Sequence, residues 1–165
     1  MSIDDRALLA QISDLHIQVG AGDRTPTARA EAVVAAVAAL VPAPDSVLVT
    51  GDLVHHGAPA EYDRVRELLA PLRMPVHVLP GNHDDRNALR ATLGALAGDS
   101  RGSFVQYTAR SGRVRLVVCD TTEPGQDGGP GYCHAARIFT RLRRRPLLLR
   151  ACRIVHVFFF VLGRP

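Results

Sequence analysis

Three short clusters carry the residues able to do chemistry: Ile12-Ser13-Asp14-Leu15-His16, Thr50-Gly51-Asp52-Leu53-Val54 and Pro80-Gly81-Asn82-His83-Asp84. Each closes an apolar run. Two divalent cations about 3.5–4 Å apart can clamp a phosphoryl group and generate hydroxide at neutral pH, provided a shared anionic ligand lies between them. Asp52 is expected to be that bridge. Asp14 and His16, two residues apart on an extended segment, are expected to point together toward one cation. Asn82 offers the other cation a neutral carbonyl oxygen. This mixed oxygen and nitrogen set suits manganese, iron or zinc better than calcium. His83 follows Asn82 directly and is expected to project toward a substrate, where an imidazolium can stabilise the phosphorane or protonate the leaving oxygen. Gly51 and Gly81 let the backbone turn where a side chain would crowd the ions.

These clusters need elements that bring them to one place. Residues 7–12 form a short apolar run, and after a loop at residues 20–26 the alanine, valine and leucine of residues 28–40 predict a helix that Thr25 or Thr27 can cap. Pro42 and Pro44 end it. The β-branched run at 46–50 reads as a buried parallel strand, and residues 59–69 as a second helix with Val65, Leu68 and Leu69 on one face. Residues 76–79 give a third strand and 85–96 a third helix. Strand and helix alternating at this spacing predict parallel strands joined by crossovers, whose carboxyl ends gather the three clusters on one edge. From Ser103 the pattern changes to two strands flanking Arg110-Ser111-Gly112, a hairpin. Residues past Asp120 open with a Gly- and Pro-rich loop and show no further regular pattern.

Bulk composition narrows the class. At 165 residues, 47% of them hydrophobic, the chain suits one compact domain. It opens on a polar, acidic stretch rather than a basic and then apolar leader, so a cytoplasmic location is expected. Cys119, Cys133 and Cys152 form no C-x-x-C pair, which argues against a disulfide framework or zinc knuckle. All basic residues are arginines, and their distribution is lopsided: residues 1–127 hold 12 Arg and all 16 acids, net −4, while 128–165 hold 8 Arg and no acid, net +8. The apolar run at 154–162 is too short to cross a bilayer.

The three blocks I-S-D-L-H, T-G-D-L-V and P-G-N-H-D resemble the first three motifs of the calcineurin-like metallophosphoesterases, in the flavour of bacterial cyclic-nucleotide and glycerophosphodiester phosphodiesterases. The resemblance covers residues 7–123, including the V-V-C-Asp120-Thr121 strand end. It implies an α/β fold, the four-layer αββα sandwich, with its C-terminal part incomplete here. It also implies a phosphoric ester hydrolase using a hydroxide that bridges two divalent metal ions, with Asp14, His16, Asp52 and Asn82 as ligands and His83 as the catalytic residue. The substrate expected is a small phosphodiester such as a cyclic nucleotide or glycerophosphodiester, with no membrane partner.

The pattern departs from the family after the hairpin. Members go on to later histidine blocks, whereas this chain offers only His134 and His156, outside such motifs. The abrupt loss of acids fits truncation, or translation in another reading frame after about residue 128. Residues 1–127 are therefore read as the N-terminal part of the domain, and 128–165 as an Arg-rich tail not native to the fold. An inactive remnant is the competing reading. A tail that binds nucleic acid is the third, and no aromatic interleaving around Arg141, Arg143, Arg144 and Arg145 supports it. His55 and His56 lie just beyond Asp52, where they could touch substrate, but read first as solvated loop histidines; His77 reads as a packed one, and Asp84 and Asp85 as dipole partners of the third helix. The sequence is silent on oligomeric state.

Overall fold

The structure, a computed structural model, describes residues 7–20, 24–98, 100, 102–112, 114–122, 148–154 and 157–163. Its first half is β1 (Leu9–Ile12), α1 (Arg24–Ala38), β2 (Ser46–Thr50), α2 (Pro59–Leu69), β3 (Val76–Leu79) and α3 (Arg86–Leu93). β1, β2 and β3 lie side by side in that order, all parallel, with Leu9 opposite Ser46 and Val47 opposite Val76. β2 is central and all five of its residues are buried, as its continuous apolar run requires of a parallel strand covered on both faces.

The helices form where the sequence supplies stripes and caps. α1 buries Thr27, Ala30, Val34 and Val37, three or four residues apart, and leaves the positions between them outside. Pro26 sits in its first turn, where the missing amide costs little. α2 begins at Pro59 and buries Tyr62, Val65, Leu68 and Leu69. At its start the Glu61 carboxylate turns back to accept from the Ala58 amide (3.1 Å), which satisfies a donor that the helix cannot. α3 is capped by Asp85, whose side chain accepts from the Ala88 amide at 2.7 Å.

The second sheet contains β4 (Tyr107–Ser111), β5 (Val114–Val118), β6 (Leu148–Ile154) and β7 (Val157–Gly163), in the antiparallel order β4-β5-β7-β6. The expected hairpin is present: Ser111 pairs with Val114, so a two-residue connection closes it, with Gly112 at a φ of 55°. β6 and β7 were not anticipated from the pattern of the sequence. β7 pairs with β5, with Val118 opposite Phe159.

One core joins both sheets. Val105, Tyr107, Val114, Leu116 and Val118 belong to the same buried cluster as Val49, Val78, Leu79 and Leu89. Tyr107 makes the junction polar as well as apolar, because its hydroxyl donates to the Val78 carbonyl at 2.8 Å. The Val78 amide in turn donates to the Leu96 carbonyl (3.1 Å). The outer edge of β3 is thereby closed to further strand pairing. Among the described residues, no helix is long and apolar enough to cross a membrane.

Candidate metal centre

The site grows out of the loops that follow β1, β2 and β3. Beyond Ile12 and Thr50 the ladder continues irregularly: the Asp14 amide donates to the Gly51 carbonyl (3.1 Å), His16 to Asp52 (2.9 Å), Ile17 to Leu53 (3.1 Å) and His55 back to Ile17 (3.0 Å). Gly51 donates to the Leu79 carbonyl at 3.1 Å, which ties in the third corner. Within this zipped region Asp14, His16 and Asp52 have left-handed φ values of 57°, 44° and 49°. Asp14 and His16 therefore do not converge by extended alternation, as the sequence suggests. They converge because each stands in a sparsely populated conformation that surrounding hydrogen bonds enforce.

Two overlapping ligand groups result. Asp14, His16 and Asp52 bring one ligand atom each within 4.8 Å of one another, and so do His16, His55 and His83. His16 Nε2 lies 3.7 Å from Asp52 Oδ2. The other Asp52 oxygen, Oδ1, accepts from the His83 amide at 3.1 Å, so the third corner fixes the carboxylate of the second. Gly81 makes this possible. A Cβ there would stand 2.1 Å from Asp52 Oδ1 and 2.3 Å from its amide nitrogen.

His83 does not turn away from the cluster. Its ring lies 4.8 Å from that of His16 and stacks 5.2 Å from that of His55. Its Nδ1 is 2.9 Å from the His55 carbonyl; donation to that oxygen leaves Nε2 as the free ring nitrogen. Asn82 occupies the same turn, half-buried, between Gly81 and His83. His55, which reads as a solvated loop residue, is half-buried and edge-on to His16 at 5.6 Å. Desolvation, followed by the charges of His56, His83 and His16, lowers its pKa. His56 is the exposed member of the pair and meets Glu61 at 3.0 Å.

Two carboxylates, half-buried Asp84 and buried Glu61, hold the loops. Asp84 accepts from the amides of Gly81 (2.7 Å), Leu53 (3.1 Å) and Val54 (3.4 Å) and from the Tyr62 hydroxyl (3.1 Å). It thus pins the second corner to the third instead of serving the helix dipole, the role that falls to Asp85. Burial pushes its pKa up to about 7 against the opposing pull of the Gly81 and Leu53 amides. Glu61, 2% exposed, accepts from the His56 amide at 3.0 Å as well as from Ala58 and so shapes the turn that carries His55. At Asp120 the carboxylate is consumed structurally by Arg86 (2.6 Å), the Val105 amide (2.9 Å) and Thr122. His134 and His156 lie outside the described residues.

The donor set fits divalent metal. Two ring nitrogens of the set, His16 Nδ1 and His55 Nδ1, are buried without a hydrogen-bond partner among the described residues, a costly state for a polar atom that a cation would relieve. Carboxylates and imidazoles together are the ligands of transition-metal sites rather than of calcium. In this set only His55 reads from the sequence as solvated rather than as part of the metal or catalytic group; its signal is position, three residues after Asp52 in a turn that folds back on the pocket.

A parallel sheet with acidic and imidazole side chains gathered at its carboxyl ends, joined through one core to an antiparallel sheet, is the architecture of a metallophosphoesterase domain. The model of the calcineurin-like phosphoesterase family matches residues 7–140, and the chain belongs to that metal-dependent family. It is 37% identical over 134 residues to the 3',5'-cyclic adenosine monophosphate phosphodiesterase CpdA of Pseudomonas aeruginosa, covering 78% of this chain and 46% of that protein. It is 34% identical over 137 residues to the glycerophosphodiester phosphodiesterase GpdQ of Enterobacter lignolyticus, covering 74% and 46%. A probable cyclic nucleotide phosphodiesterase of Rhodopseudomonas palustris is 34% identical over 113 residues, covering 68% and 41%. The chain spans less than half the length of these relatives.

Proposed function

We propose that the chain is a metal-dependent hydrolase of small phosphodiesters, with a hydroxide between two divalent cations, manganese, iron or zinc, as nucleophile. The observation that carries this reading is the placement of Asp52, whose Oδ1 is fixed by the His83 amide while Oδ2 faces His16. A carboxylate so held presents both its oxygens to one pocket without needing to reorganise. Asp14 and His16 supply the ligands on one side. Asn82, in the turn that also delivers His83, supplies the carbonyl oxygen on the other. His83 binds and protonates. As an imidazolium it keeps Nδ1–H on the His55 carbonyl and offers Nε2–H to the leaving oxygen.

The substrate class follows from the relatives, which are named for cyclic nucleotides and for glycerophosphodiesters. The test is metal analysis of the purified chain together with hydrolysis of a chromogenic bis-aryl phosphate in added manganese. Turnover that Asp52→Asn lowers by roughly 100-fold or more supports the enzyme, since that substitution removes the shared anion. Sub-stoichiometric metal and no turnover support the competing reading of an inactive remnant.

A further inference from the structure

The two ligand groups share His16 yet differ in kind. Asp14, His16 and Asp52 are dominated by hard oxygen donors, whereas His16, His55 and His83 contain imidazoles alone. The trio is prepared for a cation in three respects. The His83 Nδ1 contact with the His55 carbonyl, at 2.9 Å, selects the neutral tautomer whose Nε2 lone pair is free, the arrangement by which outer contacts orient metal-bound imidazoles. The Nδ1 atoms of His16 and His55 are buried and have no hydrogen-bond partner among the described residues. The turn bearing His55 is braced by the Glu61 carboxylate through the His56 and Ala58 amides. It is also pressed against the third corner, since a Cβ at Gly57 would lie 3.3 Å from the Asp85 amide nitrogen. His55 is thus held in place from two sides.

We propose that His16, His55 and His83 form a three-imidazole site for one borderline divalent cation, Zn²⁺ in preference to Mn²⁺, with His55 as a direct ligand. Three imidazoles and an open fourth position form an established zinc ligand set, and imidazole favours zinc where carboxylate and carbonyl favour manganese. Because both groups draw on His16, the trio and the carboxylate group compete for it. The proposal therefore adds to the hydrolase reading a second mode of occupancy for the same pocket. It does not require turnover.

The experiment is titration of the full chain with Zn²⁺, read by competition with a chromogenic chelator, and with Co²⁺, read by its visible absorption. One zinc per chain is expected. His55→Gln should weaken it by roughly 100-fold or more, beyond the 10–100-fold that an outer-shell contact commands, while Asp14→Asn should change it only a few-fold. In the unsubstituted chain, Zn²⁺ should shift the imidazole ¹⁵N resonances of all three histidines, a readout that does not depend on any variant folding. Zinc affinity unchanged in His55→Gln, or lost in Asp14→Asn, overturns the proposal and places the ion among the carboxylates, leaving the hydrolase reading intact. Absence of zinc binding with manganese-dependent hydrolysis retained overturns it too. Zinc held by the trio without phosphodiester hydrolysis under any metal supports it and removes the hydrolase reading alone.

Discussion

Single atoms decide much of this pocket. The contact between Gly81 and the Asp52 side chain leaves no room for a methyl group, because the atoms it would meet are a carboxylate oxygen and a backbone nitrogen of Asp52. Gly81→Ala is expected to cost about 1–3 kcal/mol of stability, the range for overpacking. It should also lower metal affinity, because Asp52 has to move; urea melts and metal titration of the variant check both. The residue types of the site were legible in the sequence, since Asp14, His16, Asp52, Asn82 and His83 stand in recognisable blocks. Their conformations were not. Left-handed φ at Asp14, His16 and Asp52 depends on hydrogen bonds from other corners, and His55 needed the turn that Glu61 and Gly57 impose.

At the level of elements, β3 shows how an edge strand carries a titratable group. His77 is half-buried near the Tyr107 ring, and its Nε2 is buried without a hydrogen-bond partner among the described residues. Burial lowers its pKa from the usual 6.5. The folded chain thus keeps the neutral ring where the unfolded chain would take up a proton. The contribution is fully present above pH 6.5 and is lost as the pH falls below it. His77→Leu should therefore flatten the decline of Tm between about pH 7 and pH 5 relative to the unsubstituted chain, as thermal melts at stepped pH would show. A flat profile in the unsubstituted chain would contradict this. The elements themselves were readable wherever they obey a single period: the second and third strands and α2 fall where the apolar pattern puts them. β6 and β7 were missed because residues 147–162 form an almost unbroken apolar stretch without strict alternation or a Gly, Pro, Asn or Asp to mark the turn between them.

For the molecule as a whole, the joint between α3 and the end of β5 is an ion pair, Arg86 to Asp120, with Asp120 fully buried and Arg86 also lying 4.6 Å from the Phe104 ring centre. Removing the cation strands a buried carboxylate. Arg86→Met is expected to cost about 3–5 kcal/mol in urea unfolding, and Arg86→Met with Asp120→Leu to recover a large part of it. Because both sheets share one core, that loss should appear as a single cooperative transition rather than as release of the second sheet. The expectation that residues 128–165 are foreign to the fold has its own measurement: a chain ending at residue 127 should still melt cooperatively, and collapse of that transition would show that pairing of β7 with β5 is needed. Stability in this chain is also spent locally, at the three left-handed residues that ring the pocket, each costing on the order of 1–3 kcal/mol. Glycine at positions 14, 16 or 52 would relieve that cost while erasing a candidate ligand. A library screened for thermal robustness alone should therefore drift toward glycine at these positions, and one screened for cation uptake should hold them fixed, so that deep sequencing of the two pools would separate what the fold tolerates from what the pocket demands.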